Sequence, residues 1–243
     1  MRRRLTALFN RLFRSRGYYV KRYYGADFLL APHGIGALEA SAGILEHPEL
    51  TYLVNRCAEL RPEMFIDVGA NIGIYTCILL RNGAAPRAML FEPDRVNRVQ
   101  LRANLMINGL LERAEVHEFA LGAENTRFRL LPGAVTRRDY KLADGGFSMV
   151  VEDDSFGDSA YEVDVARFDD RFQLAGQTLA IKMDIEHYEC KALAGMERTL
   201  RQNRCIVQVE SYAMHEQVTA MMTSFGYQVV KDFMPNFVFE KRH

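Results

Sequence analysis

Residues 65–76, FIDVGANIGIYT, constrain the fold of this 243-residue chain more than any other stretch. A short apolar run is followed by two glycines and then by a helix-forming segment. This pattern reads as a buried strand, a tight turn and the opening of a helix. Glycine at such a turn lets the backbone approach a ligand closely, and a helix N-terminus presents N–H groups with no partner inside the helix. The spacing excludes the common dinucleotide fingerprint. G-x-G-x-x-G starting at Gly69 requires glycines where this chain has Asn71 and Ile74. What stands there is D-x-G-x-N-x-G, led by Asp67. A carboxylate beside the turn repels a pyrophosphate and suits a ligand with a cationic amino-acid end.

Residues 88–92 read as a second strand ending in Glu92-Pro93-Asp94, and Glu92 lies 25 residues after Asp67. In a βαβ unit a carboxylate roughly 20 residues on meets the ribose hydroxyls of an adenosine. Behind the Asp67–Gly73 turn, Glu92 is read in that role rather than as a solvated strand end. The two acids and the turn between them point to S-adenosylmethionine as cofactor.

The remaining pattern predicts an α/β fold. Strands at 64–68, 88–92, 116–121, 179–184 and 205–210 alternate with helices at 72–82, 94–108, 188–203 and 213–225, and residues 227–231 and 237–241 close as a hairpin. Such alternation gives a seven-stranded, mostly parallel sheet with helices on both faces, Rossmann-like and in the strand order of class I methyltransferases. Residues 123–168 break the alternation with β-like runs at 127–131, 147–152 and 161–166, read as an antiparallel insertion. Residues 1–60 read as a helical, basic N-terminal extension, with a turn at 31–36 and a helix over 51–60. The expected division is therefore 1–60, extension, and 61–243, cofactor-binding domain.

Composition bears on partners and compartment. The chain has 31 basic and 31 acidic residues, but residues 1–25 hold eight basic residues and no acid. The rest carries a net −8, which argues against a nucleic-acid binder. In the basic arm Leu5, Leu8, Phe9, Leu12 and Phe13 share one helical face. That stripe either packs on the body of the domain or makes peripheral contact with an anionic membrane surface. Its five-residue apolar run is too short for a signal peptide, and no stretch nears the ~18 apolar residues of a spanning helix. Cys57, Cys77, Cys190 and Cys205 form no C-x-x-C pair and read as reduced core residues. The expected location is cytoplasmic, with the arm allowing contact at the inner face of the membrane.

A second constellation lies at 181–189, IKMDIEHYE. Lys182, Asp184 and Glu186 share one side of the fourth core strand while the chain stays extended. Ionisable groups crowded at a buried strand end carry a cost unless they bind or catalyse, and carboxyl ends of strands are where open α/β sheets hold ligands. Together with FIDVGANIGIYT, the segments FEPDRVNRVQLRANLMING, ALG, VARFDD, IKMDIEHYECKALAGM and IVQVES follow in the order and spacing of the FkbM family of S-adenosylmethionine-dependent methyltransferases. The resemblance covers about residues 62–212. It implies O-methylation of hydroxyls on sugars, glycolipids or polyketides. It also implies that Asp67, Gly69, Ala70, Asn71 and Gly73 cradle the methionine part of the cofactor. Glu92 and Pro93 then stand at the ribose, and Phe91, Ala120 and Leu121 at the adenine. Asp184, Glu186 and Glu189 match the acidic positions of the second motif, Glu210 matches the acid ending the fifth strand, and His187 stands where the family usually has glycine.

Methyl transfer requires the acceptor in line with the S–CH₃ bond and a base for its proton. Asp184 is the first candidate base and His187 the second, with Glu186 in the same cluster. A divalent metal held by Asp184, Glu186 and Glu210 is a further way to acidify the hydroxyl. The acceptor expected is a sugar hydroxyl in a glycan, glycolipid or lipo-oligosaccharide. A polyketide, another small molecule or a protein side chain is the second reading, and a non-catalytic cofactor-binding scaffold the third.

Overall fold

The computed structural model describes residues 19–30, 48–131, 149–151 and 160–241. The basic amphipathic stripe and the expected turn at 31–36 lie outside the described residues. The described chain opens on β1 (Tyr19–Tyr23) and β2 (Ala26–Leu30), an antiparallel hairpin turning through Tyr24 and Gly25 at positive φ. This corrects the helical reading of the extension over residues 19–30. Tyrosines, valine and phenylalanine crowd these ten positions, and they favour a pleated surface over a helix. α1 (Pro48–Leu60) follows and buries Leu50, Leu53 and Cys57.

From there the chain alternates as expected: β3 (Met64–Val68), α2 (Ile74–Arg81), β4 (Ala88–Phe91), α3 (Arg95–Asn108) and β5 (Ala114–His117). The expected third core strand ends early, at His117. Residues 120 and 121 instead form β6 (Ala120–Leu121), part of a separate small sheet with β7 (Thr126–Leu131), β8 (Met149–Val151) and β9 (Tyr161–Ala166). Its order is β6-β9-β7-β8, with β6 and β9 parallel and the other pairs antiparallel. After α4 (Phe168–Arg171) come β10 (Thr178–Met183), α5 (Glu189–Gly195) and α6 (Glu197–Gln202). The single helix expected over 188–203 is thus two, broken where Met196 leaves helical geometry at φ −111°, ψ 6°. β11 (Arg204–Glu210), α7 (His215–Ser224), β12 (Tyr227–Phe233) and β13 (Asn236–Lys241) complete the fold.

The large sheet has seven strands in the order β12-β13-β11-β10-β3-β4-β5, parallel from β11 to β5 and antiparallel at the β12–β13 end. Strand alternation divides its side chains between two apolar layers. Phe65 and Ala180 face the hairpin, α1, α2 and α3, whereas Met64, Ile66, Val68, Leu179, Ile181 and Met183 face α4 to α7. Strands covered on both faces read as continuous apolar runs, which is why MFIDV and TLAIKM are legible as strands.

Sheet order reverses between β3 and β10. The chain leaves β3 towards β4 and β5 and later returns to lay β10 and β11 on the other side. Such a switch point opens a crevice at the carboxyl ends of the two strands, where ligands of this architecture bind.

The hairpin is fastened through side-chain amides. Asn104 Oδ1 accepts from Leu29 N (2.7 Å), Asn108 Oδ1 from Asp27 N (2.9 Å), and Gln100 Nε2 donates to Leu29 O (2.7 Å). These α3 side chains satisfy the open edge of β2 as a neighbouring strand would. Asn104 is fully buried, and its Nδ2 donates to Ile72 O (2.8 Å), inside the glycine turn.

Candidate active site

A cavity occupies the switch point. Its wall holds Gly69, Asn71, Glu92, Pro93, Ala120, Leu121, Asp184 and Glu186 from the expected set, together with Phe91, Asn97, Leu130, Ile185 and Tyr188. Gly69 and Tyr188, 119 positions apart, are brought together because most of these residues sit at or just beyond a carboxyl strand end. Asp67, Ala70, Gly73 and His187 are not on this wall.

The glycine turn uses its backbone differently from the expectation. Gly69 N and Ala70 N both donate to Phe91 O (3.0 and 3.1 Å), and Asn71 N donates to Glu92 Oε2 (2.7 Å). The turn amides are therefore engaged by the end of β4 rather than held open for an anion. The glycine at 69 answers to a close approach of two strand ends. Its φ is +78°, and a Cβ there would run into the Asp184 carbonyl oxygen. Asp184 N in turn donates to Val68 O (3.0 Å). Gly69 thus lets β3 and β10 close on each other beneath the cavity.

Asp67 lies one layer behind. It is 1% exposed, accepts from Thr76 Oγ1 (2.6 Å) through Oδ2, and its Oδ1 has no hydrogen-bond partner among the described residues. Burial pushes its pKa up, against the pull of Lys182. Lys182 is its register partner on β10 and ion-pairs with Asp184 (2.9 Å). Burial opposes the Lys182 charge, but the Asp184 and Asp67 carboxylates outweigh it and hold the ammonium above its ordinary value. Lys182 Nζ also lies 5.1 Å from the centre of the Tyr75 ring.

Glu92 is 4% exposed, with Oε1 accepting from Asp94 N (2.8 Å) and Oε2 from Asn71 N. Burial raises its pKa to about 7, although both backbone donors favour the charged form. Asp94 caps α3 by accepting from Val96 N (2.8 Å), and Tyr161 of the small sheet donates to it (3.2 Å). The insertion is thereby fixed beside the Glu92 corner, and Leu130 reaches the cavity wall from it.

At the other end the chain leaves β10 at Met183 and turns through Glu186 and His187, both at positive φ (50° and 72°). Side-chain alternation therefore stops at Asp184, yet Glu186 remains on the wall. His187 takes the left-handed geometry that explains the glycine usual at this position, a geometry histidine tolerates better than most residues. Its side chain is exposed, and its N–H donates to Glu189 Oε1 (3.0 Å). Glu186 has its pKa raised to about 7, first by burial and then by Asp184, Glu210 and Glu189. Among the described residues no three His, Cys, Asp or Glu side chains converge as a metal-ligand set. Asp184, Glu186 and Glu210 are neighbours without forming the chelate raised as an alternative.

Sequence reading missed Asn97 and Leu130, and placed Tyr188 at the end of the fourth core strand without a role. Asn97 carried a signal, one helical turn beyond the Pro93-Asp94 cap and so facing back over Glu92. Leu130 carried none, since its place depends on how the small sheet folds back.

The profile of the methyltransferase FkbM domain matches residues 67–229. Among solved structures, a methyltransferase FkbM from Methylobacillus flagellatus KT is 23% identical with a TM-score of 0.52, covering 74% of this chain and 43% of its own. This chain thus spans less than half the length of that relative, and the likeness speaks to the fold. A methyltransferase from Geobacter sulfurreducens is 13% identical with a TM-score of 0.46, over 86% of this chain and 87% of its own. No curated protein matches the chain.

Proposed function

From the premise that the chain belongs to the FkbM methyltransferase family, we propose that it is an S-adenosylmethionine-dependent O-methyltransferase acting on a hydroxyl, in the first place one of a sugar. The observation that carries the reading is the charge of the cavity wall. Among the described residues it presents three carboxylates, Glu92, Asp184 and Glu186, and no lysine, arginine or histidine. Such a wall repels a pyrophosphate and favours a sulfonium with an unphosphorylated ribose.

The residues fit that cofactor. Asn71 Oδ1 is buried without a hydrogen-bond partner among the described residues, beside a Glu92 carboxylate with acceptor capacity left beyond its two backbone donors. Glu92 and Asn97 would hold the ribose, Asn71 and Asp184 the amino-acid end, and Phe91, Leu121 and Leu130 the adenine. When bound, the cofactor supplies an electrophilic methyl group. The chain's own part is to orient the acceptor and take its proton. Glu186 is the base this geometry favours over Asp184, because Asp184 is committed to Lys182 at 2.9 Å while Glu186 carries a proton affinity near neutrality.

Calorimetry tests the cofactor. S-adenosylmethionine and S-adenosylhomocysteine should both bind and NAD should not, and NAD binding without either sulfur compound would falsify the reading. Incubation with labelled cofactor and a panel of glycans, lipid-linked sugars and polyketide alcohols then identifies the acceptor class.

A further inference from the structure

Beyond the cavity wall, the carboxyl ends of β10 and β11 and the amino end of β13 bring polar and apolar groups side by side. Glu210 ends β11 opposite Asn236, and Ser211 N donates to Pro235 O (2.9 Å), so the segment after β11 runs against the turn before β13. Two of the molecule's exposed large apolar side chains flank this crossing, Tyr212 at 66% exposure and Met234 at 62%. The Tyr212 hydroxyl is held above its ordinary pKa by desolvation first and then by the carboxylates of Glu210, Glu186 and Asp184. Met183 pairs with Val209 across β10 and β11, so Asp184 and Glu210 leave the sheet side by side, Glu210 two residues before a ring that is open to solvent.

One buried acceptor and one buried hydroxyl stand unpaired among the described residues that follow β10 and β11. Glu189 is 2% exposed, and its Oε2 has no hydrogen-bond partner among the described residues, while its charge acts on Glu186. Ser211 Oγ, in a side chain 4% exposed, is likewise without one. Unpaired buried groups of this kind are costly unless a ligand or water completes them. Carboxylates accept from hydroxyl groups, and an exposed ring offers its face to an apolar surface. Against the four carboxylates stands Lys182, already paired with Asp184.

We propose that this corner is the acceptor subsite, that Tyr212 and Met234 form a shelf for an apolar face of the acceptor, and that the carboxylates select an uncharged hydroxyl-bearing compound and exclude one bearing a phosphate. The proposal rests on the methyltransferase reading and sharpens it. Tyr212 is a specificity residue, touching the acceptor away from the reacting hydroxyl.

The test uses protein loaded with S-adenosylhomocysteine and ligand-observed NMR titration of phenyl β-glucoside, glucose and glucose 6-phosphate. Phenyl glucoside should bind roughly tenfold tighter than glucose, the size of one aromatic contact. Glucose 6-phosphate should bind roughly 100-fold more weakly than phenyl glucoside, as like charges meet. Tyr212→Ala should lose the advantage of the phenyl compound and Tyr212→Phe should keep it, with S-adenosylhomocysteine affinity unchanged in both. The proposal falls if the phosphate binds as well as the phenyl compound, if Tyr212→Ala binds like the native protein, or if no sugar binds the loaded protein. Failure to bind S-adenosylhomocysteine at all overturns the methyltransferase reading and this one with it.

Discussion

Glu186 shows how one residue's chemistry depends on neighbours that are remote in sequence. Its carboxyl is raised to about 7 because it is buried beside Asp184, Glu210 and Glu189. A general base works only when ionised, so turnover should climb as pH rises through about 7. Glu186→Gln should lower kcat roughly 10²–10⁴-fold, the usual contribution of a positioned base, and remove that limb of the profile. The same loss and the same change of profile in Asp184→Asn, with Glu186→Gln near native, would transfer the role to Asp184. The places of Gly69, Asn71 and Glu92 on the cavity wall were legible in the sequence because a strand-turn-helix and the strand after it fix them locally, whereas Asp67, read with them, lies one layer behind. The proposed rank of Glu186 over Asp184 was not, since it depends on a lysine that ion-pairs with Asp184. His187 was legible as a departure, but its exposure follows from a backbone that turns away from the strand.

At the scale of the elements, the fold read well wherever apolar runs and turn residues agreed, as at β3, β4, α3, β10 and the β12–β13 hairpin. It read poorly where tertiary contacts decide. Residues 120 and 121 continue the β pattern of β5 by composition, but they pair with β9 in another sheet. The segment VARFDD was recognised as a family mark, and the structure gives it a mechanical task. Asp169 is buried at the end of the small sheet's return. It accepts from Arg198 N (2.7 Å), Thr199 N (3.0 Å) and Thr199 Oγ1 (2.7 Å), capping α6 from across the fold. Asp169→Ala leaves these donors without partners and should destabilise the protein by about 2–3 kcal/mol in urea unfolding, the sum of a lost cap and a buried unsatisfied donor. A loss below about 0.5 kcal/mol, the range of ordinary surface changes, would show that water replaces the carboxylate.

For the whole molecule, the site's carboxyls link stability to pH. Glu92 has a folded pKa of about 7 against an ordinary value of 4.5, so the folded protein binds more protons than the unfolded chain between those values. Its contribution is fully present below about 4.5 and is lost as pH rises through about 7. Melting of the ligand-free protein should therefore fall in temperature from pH 5 to pH 8, and Glu92→Gln should flatten that slope. An equal slope in the variant would assign the dependence to other groups. The seven-stranded order and the switch point followed from the alternation of strands and helices, whereas the docking of the hairpin on α3 did not, because amides reaching a strand edge leave no periodic trace. That docking also has a consequence for communication across the molecule. Asn104 holds Leu29 N with one end of its amide and Ile72 O with the other. Any event that steadies the turn must then steady the hairpin, and reciprocity requires the reverse by the same factor. Through that one amide, a contact on the amino-terminal strands would reach the turn beneath the crevice at the carboxyl ends of β3 and β10.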